Sequence, residues 1–269
     1  MGSGGPGWAI FRTEPGSKSG VGSRRFWAAV IFTLGVLVGM VMMGASIYAD
    51  FEATLFDVFL NASSSPRLIH CPILLSSKES GLVTTSIRNR SDEPVVRLVR
   101  THISRGHLTL MREFEERLEI DPGEVIDLEW AVTEKDAAYG HLIFAKVIFL
   151  ESAIKPITRG SCGILVLPLP WGLHGWTVVV IMYLISFTFI ISSLVLWWRY
   201  GRSYSGIRLE ATRAMMVLGV DVLIGLVFAL IGIWEVAALT FYISILAIGV
   251  IVPHFLINFI LTKGEIFIE

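Results

Sequence analysis

The residues best placed to do chemistry lie in apolar surroundings. Asp221, His254 and Asn258 interrupt long hydrophobic runs, where a carboxylate in hydrocarbon costs about 2.5 to 3.5 kcal/mol unless it faces a partner or water. Asp221 is seven residues beyond Ala214, the start of one run, and His254 is eight residues before Thr262, the end of the next. Antiparallel neighbours rising about 1.5 Å per residue then place both at similar depths, roughly 10 to 12 Å from one boundary. Asn258 shares a helix face with His254, and Pro253 frees a backbone carbonyl nearby. The expectation is one intramembrane polar cluster. Its possible chemistry is a proton relay, an ion site or a ligand contact; its structural use is an interhelical clamp worth about 0.6 to 2 kcal/mol. One Asp and one His are fewer than most transport pathways use, which favours the clamp. Haem ligation by His254 lacks a second ligand.

Cys71 and Cys162 are the only cysteines. Their separation lacks the CxxC spacing of redox or zinc motifs, which leaves a disulfide as the economical reading if they face an oxidising compartment. His70, His102, His107 and His141 include no pair at helical metal-ligand spacing. No phosphate loop, dinucleotide fingerprint, zinc signature or nucleophile elbow occurs. No catalytic, cofactor-binding or metal-ligating residue is therefore assigned, and no enzyme is expected. Asn61-Ala-Ser63 and Asn89-Arg-Ser91 match the glycosylation acceptor pattern, a match that also arises by chance.

These residues need a membrane to position them. Of 269 residues, 54% are hydrophobic and 17% charged, with a mean hydropathy of +0.67, which excludes disorder and an ordinary soluble domain. The net charge of -1 hides an uneven distribution and points to no nucleic acid. Residues 26–49, 172–198, 214–233 and 236–262 are long and apolar enough to cross about 30 Å of hydrocarbon. A cleaved signal peptide is the alternative for the first. Arg12, Lys18, Arg24 and Arg25 precede the first span, Arg199, Arg202, Arg208 and Arg213 lie between the second and third, and Lys263 follows the fourth. The positive-inside rule makes both termini cytoplasmic and the long segment after the first span external. That places residues 1–25 in a flexible cytoplasmic tail, 199–213 in a cytoplasmic link and 263–269 in a second tail. Trp171, Trp176, Trp197, Trp198, Tyr200 and Trp234 read as an interfacial aromatic belt.

Residues 50–66 continue the first helix and end in a linker: Phe51, Leu55, Phe56 and Phe59 form an apolar stripe, and Asn61 to Pro66 supply turn residues. Residues 67–169 alternate with a period of two, as in Val83, Thr85 and Ile87, or Leu128, Trp130 and Val132, or Leu142, Phe144 and Ile148. About seven short strands separated by turn signals predict an antiparallel β-sandwich. Both cysteines bracket it, and a disulfide would pin its first strand beside its last.

The run from Ile87 through Asn89-Arg-Ser-Asp92-Glu-Pro94 to Val96, followed by Asp121-Pro122-Gly123-Glu124 and Leu128-Glu-Trp130-Ala-Val132, resembles bacterial immunoglobulin-like modules of the cell-adhesion-related type. The resemblance implies a binding or spacing module. The expected architecture is an α-helical membrane protein of four transmembrane helices, with an external all-β, immunoglobulin-like sandwich between helices 1 and 2. The expected function is a non-enzymatic membrane-anchored binding or scaffold protein in a larger assembly, contacting lipid and another membrane or surface protein. The alternative is an accessory subunit of a transporter or energy-coupling complex, with Asp221 and His254 as its relay.

Overall fold

The structure is a computed structural model and describes residues 19–56, 63–64, 69–152, 155–200 and 207–265. In chain order it runs through α1 (Ser19–Leu55), eight strands and three consecutive helices, α2 (Gly175–Tyr200), α3 (Ile207–Ile231) and α4 (Trp234–Glu265). Among the described residues, four stretches are long and apolar enough to cross a membrane: Trp27–Leu55, Gly175–Arg199, Thr212–Ile231 and Trp234–Pro253, with mean hydropathies of 2.3 to 2.6.

Helix α1 is the hub of the bundle and touches the other three helices. Its glycines let neighbours approach closely, as small residues do when lipid supplies no drive for helices to associate. A Cβ added at Gly39 would lie 2.8 Å from Ser186 Oγ. Ser186 Oγ donates to Gly35 O at 2.8 Å, and Ser193 Oγ donates to Ala28 O at 3.0 Å. Trp197, expected in the aromatic belt, is instead buried against Phe32 at a ring separation of 4.8 Å, whereas Trp176 and Trp198 are exposed.

The strands are β1 (Ser63–Ser64), β2 (Leu74–Ser76), β3 (Gly81–Arg88), β4 (Val95–Arg105), β5 (His107–Ile120), β6 (Val125–Val132), β7 (Leu142–Ser152) and β8 (Lys155–Leu167). They form a six-stranded sheet in the order β1-β8-β7-β4-β5, with β2 also on β8, and a two-stranded sheet of β3 and β6. Val83, Leu128, Trp130 and Val132 of the smaller sheet share a core with Val99, Ile103, Ile143, Ala145, Val147 and Ile164 of the larger. Strand β5 forms one edge of the larger sheet and is charged, which guards against edge-to-edge pairing. Arg100 bridges its Glu113 and Glu115 at 3.1 and 2.9 Å, and Arg112 Nη2 donates to Ala131 O of β6 at 2.9 Å.

Two features differ from an all-antiparallel sandwich. First, β1 and β2 run parallel to β8. Helix α1 carries the chain outward across β8, so the returning segment heads for the bundle in the same direction as β8. Second, β7 and β8 of the larger sheet are covered on both faces. Ala49 and Ala53 of α1 and Phe56 just after it pack on Leu142 and Phe144, while Phe51 and Leu55 of the expected apolar stripe are exposed. Phe59 lies outside the described residues. Coverage on both faces explains why β7 reads as a nearly continuous apolar run.

Candidate functional site

The most elaborated part of the molecule is the junction where the strands meet the bundle. Helix α1 crosses β8 at backbone distance, which only glycine allows: a Cβ at Gly163 would lie 2.0 Å from Ala49 O. The close approach lets Gly163 N–H donate to Asp50 Oδ1 at 3.0 Å. A pocket of about 90 Å³ opens beside this contact, lined by Ser46, Asp50, His70, Ser161 and Trp234 together with both cysteines. Cys71 and Cys162 are disulfide-bonded across it with a Cα separation of 6.3 Å, so the predicted bond is present.

A second contact ties α2 to the same end. Gly175 N–H donates to Glu79 Oε2 at 2.8 Å, and Ser76 N–H donates to the same oxygen at 3.1 Å. His174 Nδ1 lies 3.4 Å from Glu79 Oε1. Burial pushes the Glu79 carboxyl up, but the two backbone donors and His174 outweigh it and hold the group below its ordinary value. Here too the backbones nearly touch, since a Cβ at Gly175 would lie 2.1 Å from Leu74 O.

A third contact was missed in the sequence. Lys146, fully buried in the middle of β7, donates from Nζ to Phe56 O at the end of α1. An ammonium there satisfies a terminal helix carbonyl and complements the negative end of the helix dipole. The available signal was a lone lysine within Leu142-Ile-Phe-Ala-Lys146-Val-Ile-Phe-Leu150, because a cation inside a doubly covered strand needs an oxygen partner.

Inside the membrane segment, Asp221 Oδ2 accepts a hydrogen bond from Ser244 Oγ at 2.7 Å, and Ser244 is wholly buried. Ser244 was not among the expected partners. The side chains of His254 and Asn258 lie outside the described residues. A rise of about 1.5 Å per residue puts the backbone of His254 roughly 15 Å farther along α4 than that of Ser244. Among the described residues, no group of three or more His, Cys, Asp or Glu is placed to hold a metal ion. His102 is buried 3.4 Å from Glu113, whereas His70 and His141 are exposed and His141 Nδ1 is 2.7 Å from Tyr139 O. The Asn89 amide is also engaged: its Nδ2 donates to Glu93 O and Ile120 O at 2.8 and 2.9 Å, which leaves it closing a turn rather than offered as a glycan acceptor. Asn61 lies outside the described residues.

No family model and no curated protein matches this sequence. Solved structures with partial likeness include a CARDB domain from Pyrococcus furiosus in complex with di-metal ions, 11% identical, covering 37% of this chain and 84% of that one at a TM-score of 0.30. They also include β-glucuronidase 2 of Bacteroides uniformis, 15% identical over 36% of this chain and 12% of that one at a TM-score of 0.27. A β-glucosidase of Listeria innocua is 17% identical over 36% of this chain and 15% of that one at 0.26. At these scores none of the three carries a fold or an activity to this chain.

At the end of β3 remote from the junction, Arg88, Asn89, Arg90, Asp92, Pro122 and Gly123 line an open concavity of about 560 Å³.

Proposed function

We propose that this chain is a non-enzymatic, membrane-anchored binding or scaffold protein. Its immunoglobulin-like β-domain, carried between the first and second spans, stands at the extracytoplasmic face for another membrane or surface protein. The observation that carries the reading is the junction. A helix continuous from the span onto the sheet, the Glu79 contact to α2 and a disulfide beside the crossing hold the β-domain at one height and angle. A domain on a flexible tether would need none of these contacts. The orientation draws on the flanking arginines and lysines, which put both termini in the cytoplasm.

The test combines topology and contact in intact cells. A label at Asp121→Cys reacts from outside and one at Ser203→Cys is protected. A photo-reactive residue at Arg90 or Glu119 yields one discrete adduct with a second protein, which stays stoichiometric through gentle solubilisation. The reverse labelling pattern overturns the orientation. A lone monomer without adduct overturns the binding role.

A further inference from the structure

We infer that the α3–α4 side of the bundle is the docking surface for a transmembrane helix of a different protein, one that brings a lysine or arginine to mid-membrane depth beside Asp221. This rests on the reading of the chain as part of a larger membrane assembly and names the chemistry of the partner.

Asp221 is 11 residues before the turn at Gly232 that joins α3 and α4, and Ser244 is 12 residues after it. Their hydrogen bond therefore sits about 16 to 18 Å from that turn, near the middle of about 30 Å of hydrocarbon. At that depth a carboxylate has no water to solvate it and needs donors from protein. Ser244 supplies one, to Oδ2. No other partner of the carboxylate is found among the described residues, and Asp221 is only partly buried. It borders an exposed apolar stripe on α3 formed by Val217, Val220, Ile224 and Val227, of which Val217 is 70% exposed.

The chain brings no lysine or arginine to this depth, and His254 stands roughly 15 Å farther along α4 than Ser244. Within the four candidate spans the only basic residues are Arg199 and Arg213, and both stand at span ends. A second copy would therefore offer Asp221 no lysine or arginine at this depth. The complement that satisfies a half-open carboxylate at this depth is a cation on another chain, since charge-assisted hydrogen bonds are the strong ones. The flanking valines and Ile224 then pack on the remainder of the incoming helix.

The test uses the full chain in phosphatidylcholine vesicles, mixed with otherwise identical Leu/Ala transmembrane helices that carry Arg or Leu at mid-length, with association read by energy transfer. The expected result is that the Arg helix associates about tenfold more tightly than the Leu helix. Asp221→Asn, which keeps an acceptor for Ser244, should abolish most of that preference, and Asp221→Glu should retain it. Val217→Trp should weaken binding of both helices. An equal affinity for the two helices, a preference that survives Asp221→Asn, or self-association that excludes the Arg helix overturns the inference. Each variant is first checked for the Cys71–Cys162 bond, so a misfolded chain is not counted. Failure here leaves the adducts from the β-domain unaffected, and failure of those adducts leaves this preference intact, so the two readings fall separately.

Discussion

The junction and the α3–α4 hairpin are held together in opposite ways. At the junction, backbone lies against backbone: a Cβ added at Gly163 or Gly175 would come within 2.0 or 2.1 Å of a carbonyl oxygen. On α4, a Cβ added at Gly249 would meet nothing within 4 Å. The share of the apolar window that is buried is 33% in α1 and in α3 and 17% in α4. In the junction, steric fit and charged or covalent contacts define one arrangement. In the hairpin, one small-residue contact, where a Cβ at Gly225 would lie 2.4 Å from Thr240 Oγ1, and one polar pair stand among otherwise exposed apolar side chains. The same chain thus spends its specificity where water competes for polar groups and leaves its membrane face open.

Removing the disulfide should give the largest difference between the two regions. Cys71 and Cys162 are 91 residues apart, and closing a loop of that length contributes roughly 4 to 5 kcal/mol in the chain-entropy model. Replacing both by serine should lower the thermal stability of the β-domain and expose it to protease, while membrane insertion and helix content persist. If the helices and strands lose structure together, the two regions are one cooperative unit and the contrast fails.

The next effect tests the steric part of the contrast with one substitution made twice. Gly163→Ala forces α1 away from β8 and should cost about 2 to 4 kcal/mol, the range of strongly overpacked sites. Gly249→Ala should change stability by no more than about 0.5 kcal/mol, since the new methyl meets only lipid. Folded yield and denaturant midpoints in mild detergent report both. A neutral Gly163→Ala would mean that α1 does not cross β8 at backbone distance.

Some of this was legible in the sequence, for reasons that differ residue by residue. The disulfide was readable because two cysteines bracketing one region allow a single intramolecular pairing. Val83 and Thr85, and Leu128, Trp130 and Val132, were correctly read as one face, because β3 and β6 are covered on one side and so alternate. Strand β7 concealed its arrangement because α1 covers its other face, and no local pattern announces a helix packed from more than 80 residues upstream. Ser244 was missed because depth was measured from span ends, which fray, rather than from the tight turn at Gly232 that α3 and α4 share. Measured from that turn, Asp221 and Ser244 are nearly equidistant.

Glu79→Gln should have a smaller effect that depends on pH. Because the folded carboxyl sits below its ordinary value, the charged group contributes stability above the ordinary carboxylate range. That contribution disappears as pH falls through the depressed folded value. The native chain should therefore exceed the variant by about 1 kcal/mol near neutrality, discounted for partial exposure, and the two should converge in acid. Thermal midpoints taken from pH 7 down to pH 3 would show it. A gap that is constant with pH would mean that Glu79 acts by packing and not by charge.

The smallest expected effect lies in the hairpin, and it decides whether the contrast is one of kind or only of degree. Ser244→Ala removes the sole described donor to Asp221, which in a soluble core would cost an unsatisfied carboxylate its full desolvation penalty. In a membrane the reference state differs, because the separated helices find other polar partners, and measured couplings average about 0.6 kcal/mol with a maximum near 1.7. A double-mutant cycle between Asp221→Ala and Ser244→Ala, read by unfolding in bilayer-like detergent, should therefore return a coupling of about 0.6 kcal/mol. A coupling near zero would dissolve the pair and leave the α3–α4 register to apolar packing alone. A coupling above about 2 kcal/mol would exceed what such pairs supply and make the hairpin as specific as the junction. In that case Asp221 would already be satisfied within its own chain, and the demand for a cationic partner helix would vanish with the contrast.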